Sequence, residues 1–218
     1  MTVDQLAFPL PRLEARGRDD FMVAPSNATA HALIETWPDW PEARLALIGP
    51  EGCGKSHLAA IWAETAGARI MPAASLTPEM APDLAEGPLV VEDADRGVDE
   101  AALFHLLNAA ARSGAGLVLT GRMSPARWDV ALPDLASRLG AITPAIIEDP
   151  DDVLLSVVLI KLFADRQLQV KPALIGYLLP RMERSFAAAA TMVDRLDRES
   201  LAQGVAPNLA LARSLLDG

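Results

Sequence analysis

Residues 49–56 read "GPEGCGKS", and the residues on either side decide what that stretch is. Ahead of it, "RLALIG" (44–49) is a short apolar run ending in glycine, the pattern of a buried strand. Behind it, "GKSHLAAIWAETAG" (54–67) has a helical period and a stop signal at Gly67. A G-x-x-x-x-G-K-[ST] spacing between a strand and a helix is the pattern of a phosphate-binding loop. Glycines let the backbone pass close to phosphate oxygens, because no Cβ intrudes. The loop N–H groups and the start of the helix add positive potential. The predicted nucleotide-contacting run is Gly49, Pro50, Glu51, Gly52, Cys53, Gly54, Lys55, Ser56 and His57. Lys55 is expected to reach the β- and γ-phosphates and Ser56 to hold Mg²⁺. Cys53 is read as a small residue that fits, with no role for its thiol.

Moving outward, apolar runs alternate with helical ones. "SNATAHALIETW" (26–37) reads as a helix capped by Ser26 or Asn27. "ARIMPA" (68–73), "GPLVVEDAD" (87–95), "AGLVLTG" (115–121) and "AITPAII" (141–147) read as further strands, with a clear amphipathic helix over 99–114. This predicts an α/β protein with a five-stranded parallel sheet joined by right-handed crossovers. After "EDPDD" (148–152) the runs 153–167, 172–183, 185–203 and 208–216 are all helical by period. The expected organisation is an extended arm over 1–20, a nucleotide-binding α/β domain over 21–149 and a small all-helical lid domain over 150–218.

Bulk properties narrow the function. The 218 residues are 51% hydrophobic and carry a net charge of −10, with a single cysteine. An acidic chain is a poor generic binder of phosphate backbones, so direct duplex binding is not expected. No stretch has the length and apolarity of a membrane span, and no secretory signal is recognisable, so a cytoplasmic protein is expected. His31, His57 and His105 show no ligand spacing, and no protein-only metal site is predicted. "LVVED" (89–93) ends a predicted strand in two acids, Glu92 and Asp93. In P-loop ATPases an acid at this strand end helps hold Mg²⁺, and its neighbour can orient the attacking water. Either Glu92 takes the metal side, or Asp93 does with a shifted register.

"GKSHLA", "LVVED", "LVLTGRMSPARW" and "LPDLASRLG" occur in that order, and together they resemble the AAA+ module of the DnaA family, with Hda-type regulators the nearest in pattern. The resemblance covers nearly the whole chain and implies an AAA+ fold that binds ADP or ATP with Mg²⁺. It makes Arg138, in "LASRL", an arginine finger acting on a partner's nucleotide; without it Arg138 reads as a surface arginine in a turn. It makes Thr120 a sensor of the γ-phosphate or the water, although Arg122 and Met123 depart from the acid-and-base pair usual in the family. It places Ala187 where the family carries a lid arginine. Arg184, one helical turn earlier, either substitutes for that arginine or the function is lost and intrinsic hydrolysis is weak.

The function implied is regulation of replication initiation. The protein would dock on the sliding clamp (the DNA polymerase III β subunit) and stimulate ATP hydrolysis by the initiator DnaA, touching DNA only indirectly. Homo-oligomerisation is left open. The alternatives are a self-contained ATPase or helicase-loader-like remodelling protein, and a truncated initiator-like DNA binder. "QLAFPL" (5–10) matches a clamp-binding peptide of the form Q-L-x-[LF]-x-[LF] through Gln5, Leu6, Phe8 and Leu10. "WPDWPEA" (37–43) reads either as two tryptophans packed under a loop or as part of an interface.

Overall fold

The computed structural model describes residues 21–216. The arm and its candidate clamp peptide lie outside the described residues. The strands are β1 (Arg44–Ile48), β2 (Arg69–Pro72), β3 (Leu89–Glu92), β4 (Leu117–Gly121) and β5 (Thr143–Ile146). The helices are α1 (Ala28–Glu35), α2 (Lys55–Ala66), α3 (Ala81–Leu84), α4 (Glu100–Ser113), α5 (Pro133–Gly140), α6 (Asp152–Ala164), α7 (Pro172–Leu178), α8 (Phe186–Gln203) and α9 (Leu209–Leu216). All five predicted strands form, in the order β2-β3-β4-β1-β5, and every pairing is parallel.

The sheet is covered on both faces, as parallel sheets are. Side chains alternate along a strand, so the three inner strands, β3, β4 and β1, contribute to both sides. Leu45, Leu47, Val90 and Val118 pack beneath α1 and α2, with Leu58 and Trp62. Ala46, Ile48, Leu89, Val91, Leu117 and Leu119 pack on the other face, against α3, α4 and α5. Helices α6 to α9 enclose an apolar core of their own around Leu155, Leu159, Phe163 and Val193.

Local capping chemistry sets several helix starts. Asp99 accepts from the Ala102 N–H at 2.9 Å, Asp151 from Leu154 at 2.7 Å and Ser185 from Ala188 at 3.0 Å. Asn27 precedes α1, but its side chain turns backward, accepting from the Ala24 N–H at 2.8 Å and donating to the Met22 carbonyl at 2.9 Å. The helix predicted over 172–183 is shorter: α7 ends at Leu178, and a 3₁₀ turn containing Pro180 follows over Leu179–Arg181. A proline inside the helix would lack the donor and crowd the preceding turn. The helices α3 and α5 are absent from the periodicity reading. Each is short and begins next to a proline.

Trp37 and Trp40 belong to the packed core. Their rings lie 4.9 Å apart, and both meet Trp62 of α2, at 5.4 and 5.2 Å. Gly116 is needed beside them: a Cβ there would run into the Trp37 ring.

Candidate functional site

The phosphate loop leaves the C-terminal end of β1, in the crevice where open α/β sheets take ligands. Gly49 is pressed against the residue that follows β5, where a Cβ would run into the Ile147 carbonyl oxygen. Gly52 (φ +72°) and Gly54 (φ +102°) adopt left-handed conformations that a side chain would strain. Lys55 is buried, and its Nζ donates to the carbonyls of Gly49 at 2.7 Å and Pro50 at 2.6 Å. It is thus curled over its own loop, with the Cys53 Sγ 3.9 Å away. Ser56 is exposed in the first turn of α2. Burial pushes the Cys53 thiol above its ordinary pKa, with the Lys55 charge opposing. A glycine cradle, a buried ammonium and an exposed hydroxyl at a helix start are a donor set suited to a polyphosphate and its Mg²⁺.

Strand register separates the two acids at the end of β3. Val90 lies on the α2 face and Leu89 and Val91 on the other, so Glu92, two residues after Val90, falls on the face of the phosphate-loop helix. By the same count Thr120, two residues after Val118, falls there too. Asp93 has left the strand with φ +54°, and its carboxylate pairs with Arg96 at 3.2 Å. The Asp93 N–H donates to the Thr120 hydroxyl at 2.9 Å, so that buried hydroxyl ties the ends of β3 and β4 together.

Asp95 was not singled out by sequence. Its side chain is 4% exposed, and Oδ2 accepts from the Arg122 N–H at 2.8 Å. Its Oδ1 has no hydrogen-bond partner among the described residues. The Arg122 side chain pairs with Glu51, linking the end of β4 to the phosphate loop. The only prior signal was a third acid in "EDAD", whose direction depends on the turn after β3.

The start of α8 lies directly on the loop. The Phe186 N–H donates to the Gly52 carbonyl at 3.0 Å. A Cβ at Gly52 would meet the Ser185 Cβ at 2.8 Å and the Ala187 Cβ at 3.5 Å, and a Cβ at Gly54 would meet the Phe186 ring at 3.2 Å. Ala187 therefore faces the loop. Arg184 is directed elsewhere: it donates to the Asp152 carboxylate at the start of α6, at 2.7 Å, both partners being exposed. Phe21 also approaches Gly54, stacks on His31 at 5.6 Å and meets His57 edge-on at 5.3 Å. Phe21 and Phe186 carried no motif that would mark them beforehand.

Arg138 lies at the other end of the sheet. It sits near the end of α5, with its guanidinium 5.4 Å from the Phe104 ring centroid. It lines a cavity of about 410 Å³ with Glu42, Arg44, Asp134, Ser137 and Ala141. Arg44 begins β1 and Gly49 follows its end. At about 3.3 Å per residue, those five steps put the cavity and the loop about 16 Å apart along the strand. That is beyond the reach of one arginine side chain.

No protein-family model and no curated protein matches the chain. Solved structures do. Domain III of the Thermotoga maritima replication initiation protein DnaA superposes with a TM-score of 0.79 at 17% identity, over 95% of this chain and 98% of that one. DnaA from Aquifex aeolicus, solved with AMPPCP, gives 0.69 at 16%, over 84% and 65%. The Thermotoga maritima RuvB Holliday junction branch migration motor gives 0.73 at 15%, over 93% and 71%. The chain has a DnaA-like AAA+ fold. Among the described residues there is no cluster of three or more metal-ligating side chains and no helix long and apolar enough to cross a membrane.

Proposed function

We propose that the chain is a nucleotide-binding regulator of replication initiation that docks on the sliding clamp and presents Arg138 to ATP held by the initiator DnaA. Residues 21–149 would form the nucleotide-binding domain, 150–218 the lid and 1–20 the clamp-binding arm. Gly49–His57 would take the phosphates of ADP or ATP, with Lys55 on the β- and γ-phosphates and Ser56 and Glu92 on Mg²⁺. The bound nucleotide would supply the γ-phosphate that Mg²⁺ and the loop polarise. Asp93, turned toward Arg96, is a weaker candidate for the metal, and Thr120 would act by holding the β3 and β4 ends in place.

The placement of Arg138 carries this reading. It is too far along the sheet to serve its own loop, yet it has no carboxylate partner among the described residues. A guanidinium supplied in trans neutralises charge developing on the transferred phosphoryl group and can raise the rate about 10³–10⁵-fold. The chain's own loop faces Ala187 where the related lids carry arginine, which supports weak intrinsic hydrolysis. The AMPPCP bound by the Aquifex aeolicus DnaA of the same fold supports adenine nucleotide as the ligand. Clamp docking rests on Gln5, Leu6, Phe8 and Leu10, and with a net charge of −10 DNA contact would run through the clamp and the initiator.

A self-contained ATPase or remodelling protein is the second reading, favoured by Glu92 and Thr120 sharing the face of the loop helix. One assay separates them: ATP hydrolysis by initiator, clamp and DNA, with and without this protein. The regulator reading expects clamp-dependent stimulation that Arg138→Ala abolishes and that Gln5→Ala with Leu6→Ala uncouples from the clamp. Stimulation surviving Arg138→Ala, or rapid hydrolysis by this chain alone, overturns it.

A further inference from the structure

Arg44 is a charged residue where a parallel strand ordinarily buries an apolar one. It is 4% exposed, with one guanidinium nitrogen donating to the Leu107 carbonyl at 3.2 Å and another 3.1 Å from a Glu42 oxygen. Its Nε has no hydrogen-bond partner among the described residues. Burial lowers its pKa, the Glu42 charge opposes that, and the Arg138 charge adds to the lowering. The two cations line the same cavity.

Glu42 reaches Arg44 through an unusual backbone. Both Glu42 (φ +51°) and Ala43 (φ +56°) are left-handed, although neither is glycine. Such strain persists only where the surroundings over-determine it, and it gathers at functional sites. The turn follows directly on Trp40, which is packed against Trp37 and against Trp62 of α2. On the far side of the cavity Arg138 lies over Phe104 and pairs with neither Glu42 nor Asp134, though both line the same space.

We propose that Arg44 is a positioning residue: it holds Glu42, and so keeps Arg138 free for the terminal phosphate of a nucleoside triphosphate on a partner subunit. This rests on the reading of Arg138 as an arginine finger. Remove the Arg44 charge, and Glu42 is left with Arg138 as the other cation lining the cavity. The finger is then neutralised within its own chain.

The test is stimulated hydrolysis by ATP-loaded initiator with clamp and DNA, titrated with full-length variants. Arg44→Met should lower the maximal rate about fivefold, the population shift one exposed ion pair supports, and leave the half-saturating concentration unchanged. Arg44→Lys should retain the wild-type rate, and Glu42→Gln added to Arg44→Met should restore it. A merely structural role predicts no rescue by Glu42→Gln. Arg44→Met at the wild-type rate, or a double variant as slow as the single one, overturns the proposal. A second arm leaves the buried residue alone: Ala141→Glu, at an exposed position lining the cavity, adds a carboxylate that Arg44 does not hold. It should slow the reaction where Ala141→Gln does not, and equal rates for the two overturn the proposal should Arg44→Met not fold. Arg138→Ala is run in parallel. Undiminished stimulation there defeats the finger reading itself, whereas its loss with Arg44→Met unaffected defeats only the role of Arg44.

Discussion

Replacing Gly52 by alanine probes the contact between the phosphate loop and the start of α8. Gly52 sits at φ +72°, a left-handed conformation that costs a residue with a Cβ about 1–2 kcal/mol. The new Cβ would stand 2.8 Å from the Ser185 Cβ and 3.2 Å from its Oγ. Ser185 is buried and its Oγ caps α8 through the Ala188 N–H, so it cannot simply swing away. Overpacking of this kind costs about 1–3 kcal/mol, which brings the total to about 3 kcal/mol. For a chain of this size that lowers Tm by about 6–12 °C. Ser185→Gly removes both colliding atoms, and glycine at an N-cap costs only a few tenths of a kcal/mol. In that background Gly52→Ala should retain the backbone cost alone, a fall of about 3–6 °C. Thermal melts of the four proteins without nucleotide, followed by circular dichroism, complete the cycle. An equal fall in both backgrounds would refute the packing of α8 on the loop, and no fall in either would refute the left-handed loop as well.

Glu92→Gln should abolish the tightening of ATP binding by Mg²⁺ in calorimetric titrations, while Asp93→Asn should preserve it, because only Glu92 shares the face of α2; the reverse result would exchange their roles. For Cys53, burial raises the pKa above its ordinary value, so the folded state favours the neutral thiol. The stability this contributes is complete below the unfolded pKa and is lost as pH rises through the higher folded value. The denaturation midpoint should therefore decline above about pH 9 and the decline should lessen in Cys53→Ala, which urea melts at a series of pH values would measure.

The phosphate loop and the parallel sheet were legible in the sequence because each is encoded locally. A strand, eight loop residues and a helix suffice for the first, and alternating short apolar runs and amphipathic periods for the second. The choice between Glu92 and Asp93 was not local: it needed the pairing of β3 with β4, which sets the face of each residue, and the positive φ of Asp93, which takes it out of the strand. Arg138 is singled out only through resemblance. Its helix, α5, spans eight residues and buries just Leu135 and Leu139, too little for periodicity to register. Asp95, Arg44 and Phe186 gain their meaning from contacts 27, 63 and more than 130 residues away along the chain, and no short-range pattern carries such information. "WPDWPEA" resolves in the same way: its tryptophans pack against Trp62 of α2, more than 20 residues on, and the strained turn bearing Glu42 follows directly after Trp40.

In the proposed reading, the two ends of the sheet divide the chemistry in a way that bears on which nucleotide the chain itself would hold. A lid guanidinium at position 187 would sense whether a γ-phosphate is present. Here an alanine occupies that position, and the Phe186 N–H joins α8 to the Gly52 carbonyl, a loop group that is the same whether the loop holds ADP or ATP. Arg184 is engaged with Asp152 by an exposed pair of the kind worth about 0–1 kcal/mol, so its release to reach a phosphate would cost little, but the contact in place on the loop does not require it. In the proposed reading the lid therefore closes equally well over a spent nucleotide, and the chain can remain ADP-bound while Arg138, about 16 Å away along β1, acts on a partner's ATP. Nucleotide in the chain's own loop then serves as a structural ligand, raising stability according to RT ln(1 + [L]/Kd) without being consumed.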